Sequence, residues 1–323
     1  LAQAQLPTPE YKKGQAILSG TIANYNPDDN LIFKIGAPNI VMGTAETLYP
    51  TVESDGSFTI NIPLYHHTQV RMMIGNADLV ILLSPEKETN VAINLSNPPG
   101  KQFVFSGQYA TINNEWCQPE LITKIPPVYS DGDLLDSIVG ISANEFKKRC
   151  INQYKRYVTH NSAQLQFSED TRTLANLSCA FDCLENLQAT HYCLQTAYQK
   201  KENITREQAF AAFLDVYLPD DFHNYLKDFP VNHPLALYCY NYRNVVMDLY
   251  DTHKDPLAYE KNLLKNAPLT KEEQTLIHQY ETAFKAGISF QQESELMALS
   301  AKYFKENDQF RWESFSKAKE RLS

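Results

Sequence analysis

The cysteines are the residues of this chain with the most specific potential chemistry: Cys117, Cys150, Cys179, Cys183, Cys193 and Cys239. Thiol exchange needs an attacking thiolate with a resolving sulfur beside it, commonly in a C-x-x-C motif. No C-x-x-C pair occurs, and the nearest pair, Cys179 and Cys183, has the i, i+4 spacing of one helix face. The spacing predicts buried free thiols that pack as small apolar groups, with a disulfide or a metal site as the alternative.

The 8 histidines include one adjacent pair, His66 and His67, just after a predicted strand. Adjacent residues of an extended chain point to opposite sides, so these rings are poorly placed to share a metal ion. We therefore expect them in a solvated loop. His191 falls on the apolar seam of a predicted helix, which favours a hydrogen-bonded core histidine over a catalytic base.

Motifs that would identify a reaction are absent from the sequence. It contains no H-E-x-x-H, no G-x-S-x-G, no Walker loop and no dinucleotide fingerprint, which are the usual signatures of zinc hydrolysis, acyl transfer and nucleotide chemistry. The acidic cluster SDGD at 130–133 lacks the closing Glu of a calcium loop, so a turn is predicted there. We expect no catalytic residue, no metal site and no cofactor.

Aromatic side chains remain as candidates for binding, because they combine apolar area with a polar handle. Trp116, Tyr238 and Tyr242 are the candidate residues. The two tyrosines share one face of a predicted helix, whereas Tyr240 points elsewhere. Packing in the core is the favoured interpretation of the tyrosines, and a platform for a ligand is the alternative.

Composition and charge restrict the partners. Of 323 residues, 43% are hydrophobic and 21% are charged, which is typical of a globular protein. No apolar run approaches the roughly 18 residues of a membrane-spanning helix. The 38 acidic and 29 basic residues give a net charge of −9, which provides no general attraction to a phosphate backbone. We expect neither a membrane span nor a nucleic-acid partner.

Residues 15–106 carry the apolar pattern of short strands. The strands are predicted at 16–22, 31–35, 40–48, 57–64, 69–74, 78–83, 90–95 and 102–105. Phe58, Ile60, Ile62 and Leu64 fall on one face of the clearest strand, while Pro63 favours a position at the sheet edge or at the end of the strand. This spacing of short strands indicates an antiparallel β sandwich.

From about residue 108 the apolar period becomes that of helices. Capping boxes predict helix starts after Ser142, Thr205, Thr270 and Ser289. An apolar seam over 174–194 predicts one long helix, and a stripe over 235–249 predicts another. The expected fold class is α+β: an N-terminal tail (1–14), an antiparallel β-sandwich domain (15–106) and a mostly α-helical domain (107–323).

The first residues, LAQAQ, contain a small-x-small pattern at Ala2 and Ala4. Such a pattern precedes signal-peptidase sites, which would place Gln5 at the mature start. We therefore expect an exported protein, with a chain start unrelated to processing as the alternative.

Several short motifs add a family resemblance: AILSGTIA at 16–23, DGSF at 55–58, LLSP at 82–85 and FSGQYATIN at 105–113. They resemble the N-terminal β domain of envelope thiol-disulfide oxidoreductases of the TlpA and ResA type. YLKDFP at 225–230, with the helix predicted after it, is similar to their middle region. The resemblance implies a location in the periplasm or cell envelope and a C-terminal thioredoxin-like domain as a partner.

Two departures from that family bear on function. PEK stands at 85–87 where these proteins commonly show Pro-Gly-Asp, and WCQP at 116–119 offers no second cysteine for the W-C-x-x-C site. No catalytic residue carries over. The resemblance therefore implies a noncatalytic accessory or client-binding portion of an exported thiol-disulfide oxidoreductase-like protein.

Two alternatives remain open. One is a glycan- or peptide-binding envelope protein that uses aromatics on the sandwich loops or in a groove between the domains. The other is an unrecognised hydrolase, which would need carboxylates and a histidine that converge in a cleft.

Overall fold

The computed structural model describes residues 6–39, 44–128, 132–205, 208–209, 218, 222–251, 269–285, 299 and 302. The chain divides into two compact units, one of residues 1–38 and 45–245 and one of residues 39–44 and 246–323. The first unit contains both the β sandwich and the helices as far as Val245. The domain boundaries given above stay predictions, and the helix start at Ser289 lies outside the described residues.

The N-terminal part of the first unit is a sandwich of two four-stranded sheets. The strands are β1 (Gly14–Ile22), β2 (Phe33–Asn39), β3 (Thr44–Leu48), β4 (Ser57–Leu64), β5 (Thr68–Ile74), β6 (Ala77–Leu83), β7 (Glu88–Ile93) and β8 (Phe103–Gly107). Their order is β4-β1-β7-β8 in the first sheet and β3-β2-β5-β6 in the second. The α+β fold class with an N-terminal β region is confirmed. One pair, β1 with β7, is parallel.

The core of the sandwich follows the predicted alternation. Phe58, Ile62 and Leu64 of β4 are buried, and the ring of Phe58 packs edge-on against Phe33 at a centroid distance of 4.9 Å. β4 is an edge strand, as Pro63 predicts. Because side chains alternate along a strand, Gln69 and Arg71 of β5 and Asp78 of β6 fall on the opposite, outer face of the second sheet.

The helices follow the sandwich. They are α1 (Ala110–Trp116), α2 (Gly132–Ser137), α3 (Ala143–Ala163), α4 (Glu169–Gln188), α5 (Thr190–Glu202), α6 (Tyr242–Asp251) and α7 (Lys271–Lys285), with 3-10 turns at Pro27–Asp29, Phe222–Asp228 and Ala236–Tyr238. Three predicted caps are confirmed. Ser142 Oγ accepts from the N–H of Glu145, and the boxes that begin at Thr205 and Thr270 are reciprocal.

The predicted helix through 174–194 is two helices, α4 and α5. Ala189 leaves helical geometry with ψ near 8°, and the hydroxyl of Thr190 donates to the carbonyl of Leu187 at 2.6 Å. A threonine hydroxyl that binds a nearby carbonyl competes with the backbone ladder, an effect that apolar periodicity does not reveal. His191 therefore lies in the first turn of α5 and is partly exposed rather than a core residue.

The helix predicted over 235–249 is also interrupted. After the 3-10 turn at Ala236–Tyr238 the backbone becomes extended at Cys239, with ψ of 133°, and α6 begins at Tyr242. The N–H of Tyr240 donates to the side-chain oxygen of Gln69 on β5 at 3.1 Å instead of entering a helix. A tertiary contact thus overrides the local helical period and places Tyr240 against the sheet.

Candidate functional site

The six cysteines are free thiols, and all except Cys117 are buried. This confirms the predicted packing role for the buried five. Burial raises the pKa of Cys117, Cys150 and Cys239 to about 12. A thiol with so high a pKa supplies almost no thiolate near neutrality, so these sulfurs are poorly suited to exchange.

The described part of the chain meets neither the requirements of a metal site nor those of a membrane-spanning helix. No three His, Cys, Asp or Glu residues there lie together as metal ligands. None of the described helices combines the length and apolarity needed to cross a bilayer.

Two of the three predicted binding residues lie in the interior. Tyr238 and Tyr242 are fully buried, and their hydroxyls donate to the carbonyls of Pro7 at 2.9 Å and Val231 at 2.8 Å. These rings pack the core and offer no face to a ligand. Trp116 is only 8% exposed, but it lines the cleft described below.

The histidine pair is not in a solvated loop. His66 is 3% exposed, and burial lowers its pKa to about 4. Its Nδ1 donates to the carbonyl of His67 at 2.7 Å, while His67 Nδ1 is hydrogen-bonded to the hydroxyl of Tyr109 at 2.5 Å. The connection from β4 to β5 is therefore short and covered by the start of α1, which the local sequence does not indicate.

A cleft of about 440 Å³ opens between the outer face of the second sheet and the helices of the same unit. We call it the sheet–helix cleft. It is lined by the outer face of β5 and β6, by the end of α1, by residues 123–127, by the face of α4 that carries Asp182, and by residues 239–241. Charged, amide and aromatic side chains meet in its lining, among them Arg71, Asp182 and Tyr240.

Gln69 joins three of these elements. Its side chain is buried on β5. Its Oε1 accepts from the N–H of Tyr240 at 3.1 Å, and its amide nitrogen lies 3.5 Å from the hydroxyl of Ser178 on α4. A polar side chain buried in this way is stable because its hydrogen bonds are satisfied. Gln69 thus fixes the positions of the sheet, α4 and Tyr240 around the cleft.

The connecting segment, residues 122–128, is held in place by side-chain amides from two helices. Asn161 of α3 accepts from the N–H of Ile122 at 3.0 Å and donates to its carbonyl at 2.7 Å. Asn186 of α4 accepts from the N–H of Val128 at 3.0 Å. Each asparagine side chain thus binds backbone groups that no strand or helix pairs. One wall of the cleft is therefore a backbone segment fixed by side-chain hydrogen bonds.

Asp182 is the buried acid of the cleft and is 8% exposed. Its carboxylate accepts from the N–H of Ile125 and from the side-chain amide of Asn241, both at 2.8 Å. Burial raises its pKa to about 6, although these two hydrogen bonds and the charge of Lys124 oppose the shift. Asn241 also donates to Glu185 at 3.1 Å, so one amide bridges two acids.

On the opposite side, Arg71 and Asp78 form a bidentate ion pair on the outer face of β5 and β6. Nε and Nη2 of Arg71 lie 2.7 and 2.5 Å from the two carboxylate oxygens of Asp78. The hydrogen bonds from Arg71 lower the pKa of Asp78. Partly exposed Tyr240 lies beside this pair. The cleft therefore presents both signs of charge and an aromatic ring.

Two consecutive asparagines of α1 each bind the backbone of an edge strand, one strand from each sheet. The side chain of Asn113 accepts from the N–H of Leu82 in β6 at 2.7 Å and donates to its carbonyl at 3.1 Å. Asn114 does the same for Phe105 of β8, at 2.8 and 2.9 Å. Neighbouring asparagines inside a helix are unusual because they favour caps and turns, and that signal was present in the sequence.

Sequence reasoning missed most residues of the cleft: Gln69, Arg71, Asp78, Asp182, Tyr240 and Asn241. Weak signals existed for some of them. Gln69 and Arg71 interrupt the apolar pattern of a strand, and Asp182 lies in the apolar seam of α4 four residues before Asn186. Nothing local indicates that these positions meet.

Comparisons with protein-family models, with curated proteins and with solved structures find no match for this chain. The relationship to TlpA- and ResA-type proteins therefore stays a prediction. The cleft itself provides the basis for an argument about function.

Proposed function

We propose that this chain is a noncatalytic binding protein that holds a peptide segment of a client protein in the sheet–helix cleft. The observation that carries the proposal is the composition of the cleft, where an aromatic ring, an ion pair and a bridged pair of acids lie on an ordered frame. A peptide segment carries apolar, charged and amide groups together, so this mixture suits it.

A peptide fits the cleft better than a glycan does. Glycan sites commonly stack a sugar ring on an open aromatic face, and the ring of Trp116 is almost entirely covered. Tyr240 is only partly exposed and lies beside the charged Arg71 and Asp78. A ring in that setting suits contact with a side chain.

Support for a noncatalytic role comes from the buried thiols. Because burial raises the pKa of the cysteines far above neutrality, we propose that any thiol exchange is performed by a partner. From the family resemblance alone, we propose that this partner is a thioredoxin-like domain and that the protein acts in the periplasm or cell envelope.

The test is binding of a fluorescent positional library of six-residue peptides, measured by polarisation. We expect the wild type to select a subset of sequences. Tyr240→Ala, which removes the ring, and Thr123→Trp, which fills the cleft, should each weaken that binding about tenfold or more, because they act where the peptide lies. The matched control is Tyr49→Ala, since Tyr49 is 70% exposed and lies outside the cleft.

Two results would overturn the proposal. One is peptide binding that neither cleft variant affects. The other is selective binding to a glycan array, with no peptide selected and with the same dependence on Tyr240 and Thr123.

A further inference from the structure

Part of the outer edge of β6 lies inside the cleft. In the described part of the chain β6 is the last strand of its sheet and pairs with β5 only. The two-residue turn at Gly75 and Asn76 makes Ile74 and Ala77 the closing pair, which is a hydrogen-bonded pair in such hairpins. Alternate residues from Ala77 therefore bond to β5, while the backbone groups of residues 78, 80 and 82 point outward.

Asn113 confirms this alternation, because it binds both the N–H and the carbonyl of Leu82 from outside the sheet. Two residues earlier, Val80 is partly exposed and lines the cleft. Among the described residues, the outward N–H and carbonyl of Val80 meet no hydrogen-bonding partner. An exposed edge of this kind is a template for another strand.

The opposite wall presents backbone groups as well. Side chains of α3 and α4 bind the N–H groups of the connecting segment at Ile122, Ile125 and Val128. Between them, the backbones of Thr123 and Lys124 make no hydrogen bond within the described part of the chain, and both residues line the cleft. An extended guest would thus find backbone donors and acceptors on two sides.

The charges of the cleft favour a cationic guest. Its lining holds the acids Asp78, Asp182 and Glu185 and the bases Arg71 and Lys124. Arg71 and Asp78 neutralise each other in their bidentate pair, and the lining as a whole carries one more acid than base. A lysine or arginine of the guest would therefore complement the side of the cleft formed by α4.

We propose that the client segment is an extended peptide with a lysine or arginine, which adds to β6 as a further strand along Val80. This inference rests on the proposed function and specifies how the peptide is held. Main-chain hydrogen bonds to the edge supply affinity, and the cationic side chain supplies selectivity by pairing with Asp182 and Glu185.

The probe is the fluorescein-labelled hexapeptide Val-Thr-Val-Lys-Val-Thr, acetylated and amidated, measured by polarisation. Val80→Pro removes the outward N–H without touching the bonds to β5, and proline is tolerated on edge strands. Val80→Thr is the matched comparison, because it keeps the N–H in a β-branched residue. We expect Val80→Pro to bind the hexapeptide at least about fivefold more weakly than Val80→Thr does, the value of one or more hydrogen bonds.

A second arm leaves the protein unchanged, so that it stands even if Val80→Pro fails to fold. The same hexapeptide N-methylated at its two central residues cannot form the strand pairing, and we expect it to bind the wild type at least about fivefold more weakly. Replacing its lysine by glutamate should also weaken binding. Equal affinity of the N-methylated and parent peptides would overturn strand addition.

The outcomes separate the two proposals. If binding is lost in Tyr240→Ala but is unchanged by Val80→Pro and by N-methylation, the cleft binds peptides in another way and only strand addition is wrong. If neither the library nor the hexapeptide binds, both proposals are wrong.

Discussion

Asp182 should give the stability of this protein an unusual pH dependence. Burial raises its pKa from 3.8 to about 6 in the folded chain, whereas the unfolded chain keeps the ordinary value. The folded state therefore holds the proton more tightly, and the resulting stabilisation is fully present below about pH 4 and lost as the pH rises through about 6. The replacement Asp182→Asn removes the titrating group and with it this dependence.

The magnitude follows from the shift. Roughly two pKa units correspond to about 3 kcal/mol, of which about 2 kcal/mol is lost between about pH 4 and about pH 7. Asparagine can still accept from the N–H of Ile125, so the loss of the second hydrogen bond adds a constant offset. The wild type should therefore become less stable relative to Asp182→Asn as the pH rises.

Urea unfolding of both proteins at several pH values measures the effect. The difference between their free energies of unfolding isolates Asp182, because all other titrating groups are shared. Asp78→Asn is the control. Since the pKa of Asp78 is lowered, its contribution is complete above about pH 4 and its difference should stay flat to neutrality. A wild-type minus Asp182→Asn difference that is constant within about 0.5 kcal/mol would refute the reasoning.

Three other predictions concern the hydrogen bonds of Asn113, the buried thiols and the charges of the cleft. Asn113→Ala leaves two backbone groups of Leu82 unpaired and should lower the free energy of unfolding, measured in urea, by about 1–3 kcal/mol. A loss below about 0.5 kcal/mol would contradict a stabilising role for these two hydrogen bonds. The native protein should react with a thiol reagent far more slowly than the urea-unfolded protein and should not reduce insulin, because burial suppresses the thiolate; rapid native labelling or insulin turnover would count against the noncatalytic proposal. Glu185→Gln should weaken the binding of the lysine hexapeptide by about threefold and reduce the salt dependence of that binding. An unchanged salt dependence would contradict an ionic contact between Glu185 and the peptide.

The sandwich was largely predictable because its signals are local. Alternation of apolar residues placed β4 at its observed bounds, and Pro63 indicated its edge position. The parallel pairing of β1 with β7 was not predictable, because alternation shows which side chains are buried but not which strands become neighbours.

The helical part was less predictable where tertiary contacts replace local hydrogen bonds. The apolar stripe over 235–249 does not reveal the hydrogen bond between Gln69 and Tyr240, which interrupts the helix. The apolar seam over 174–194 does not reveal the hydrogen bond of the Thr190 side chain. In both cases a polar side chain competes with the hydrogen bonds of the helix, and apolar periodicity carries no information about it.

The cleft was the least predictable feature, because it forms from five elements far apart in the sequence. Of its residues only Trp116 was predicted to bind a ligand, and its ring is almost entirely covered. The clamp residues Asn113 and Asn186 show what a sequence could reveal: amides placed inside helices, where only a tertiary partner justifies them.

Amide hydrogen exchange of the wild type with and without the lysine hexapeptide tests the central claim most directly. If an extended peptide lies along β6 in the cleft, the amide of Val80 and those of Thr123 and Lys124 should exchange more slowly in the complex, while the outer face of the first sheet around Val104 stays unchanged. Protection confined to other surfaces, or none at Val80 under saturating peptide, would contradict the account.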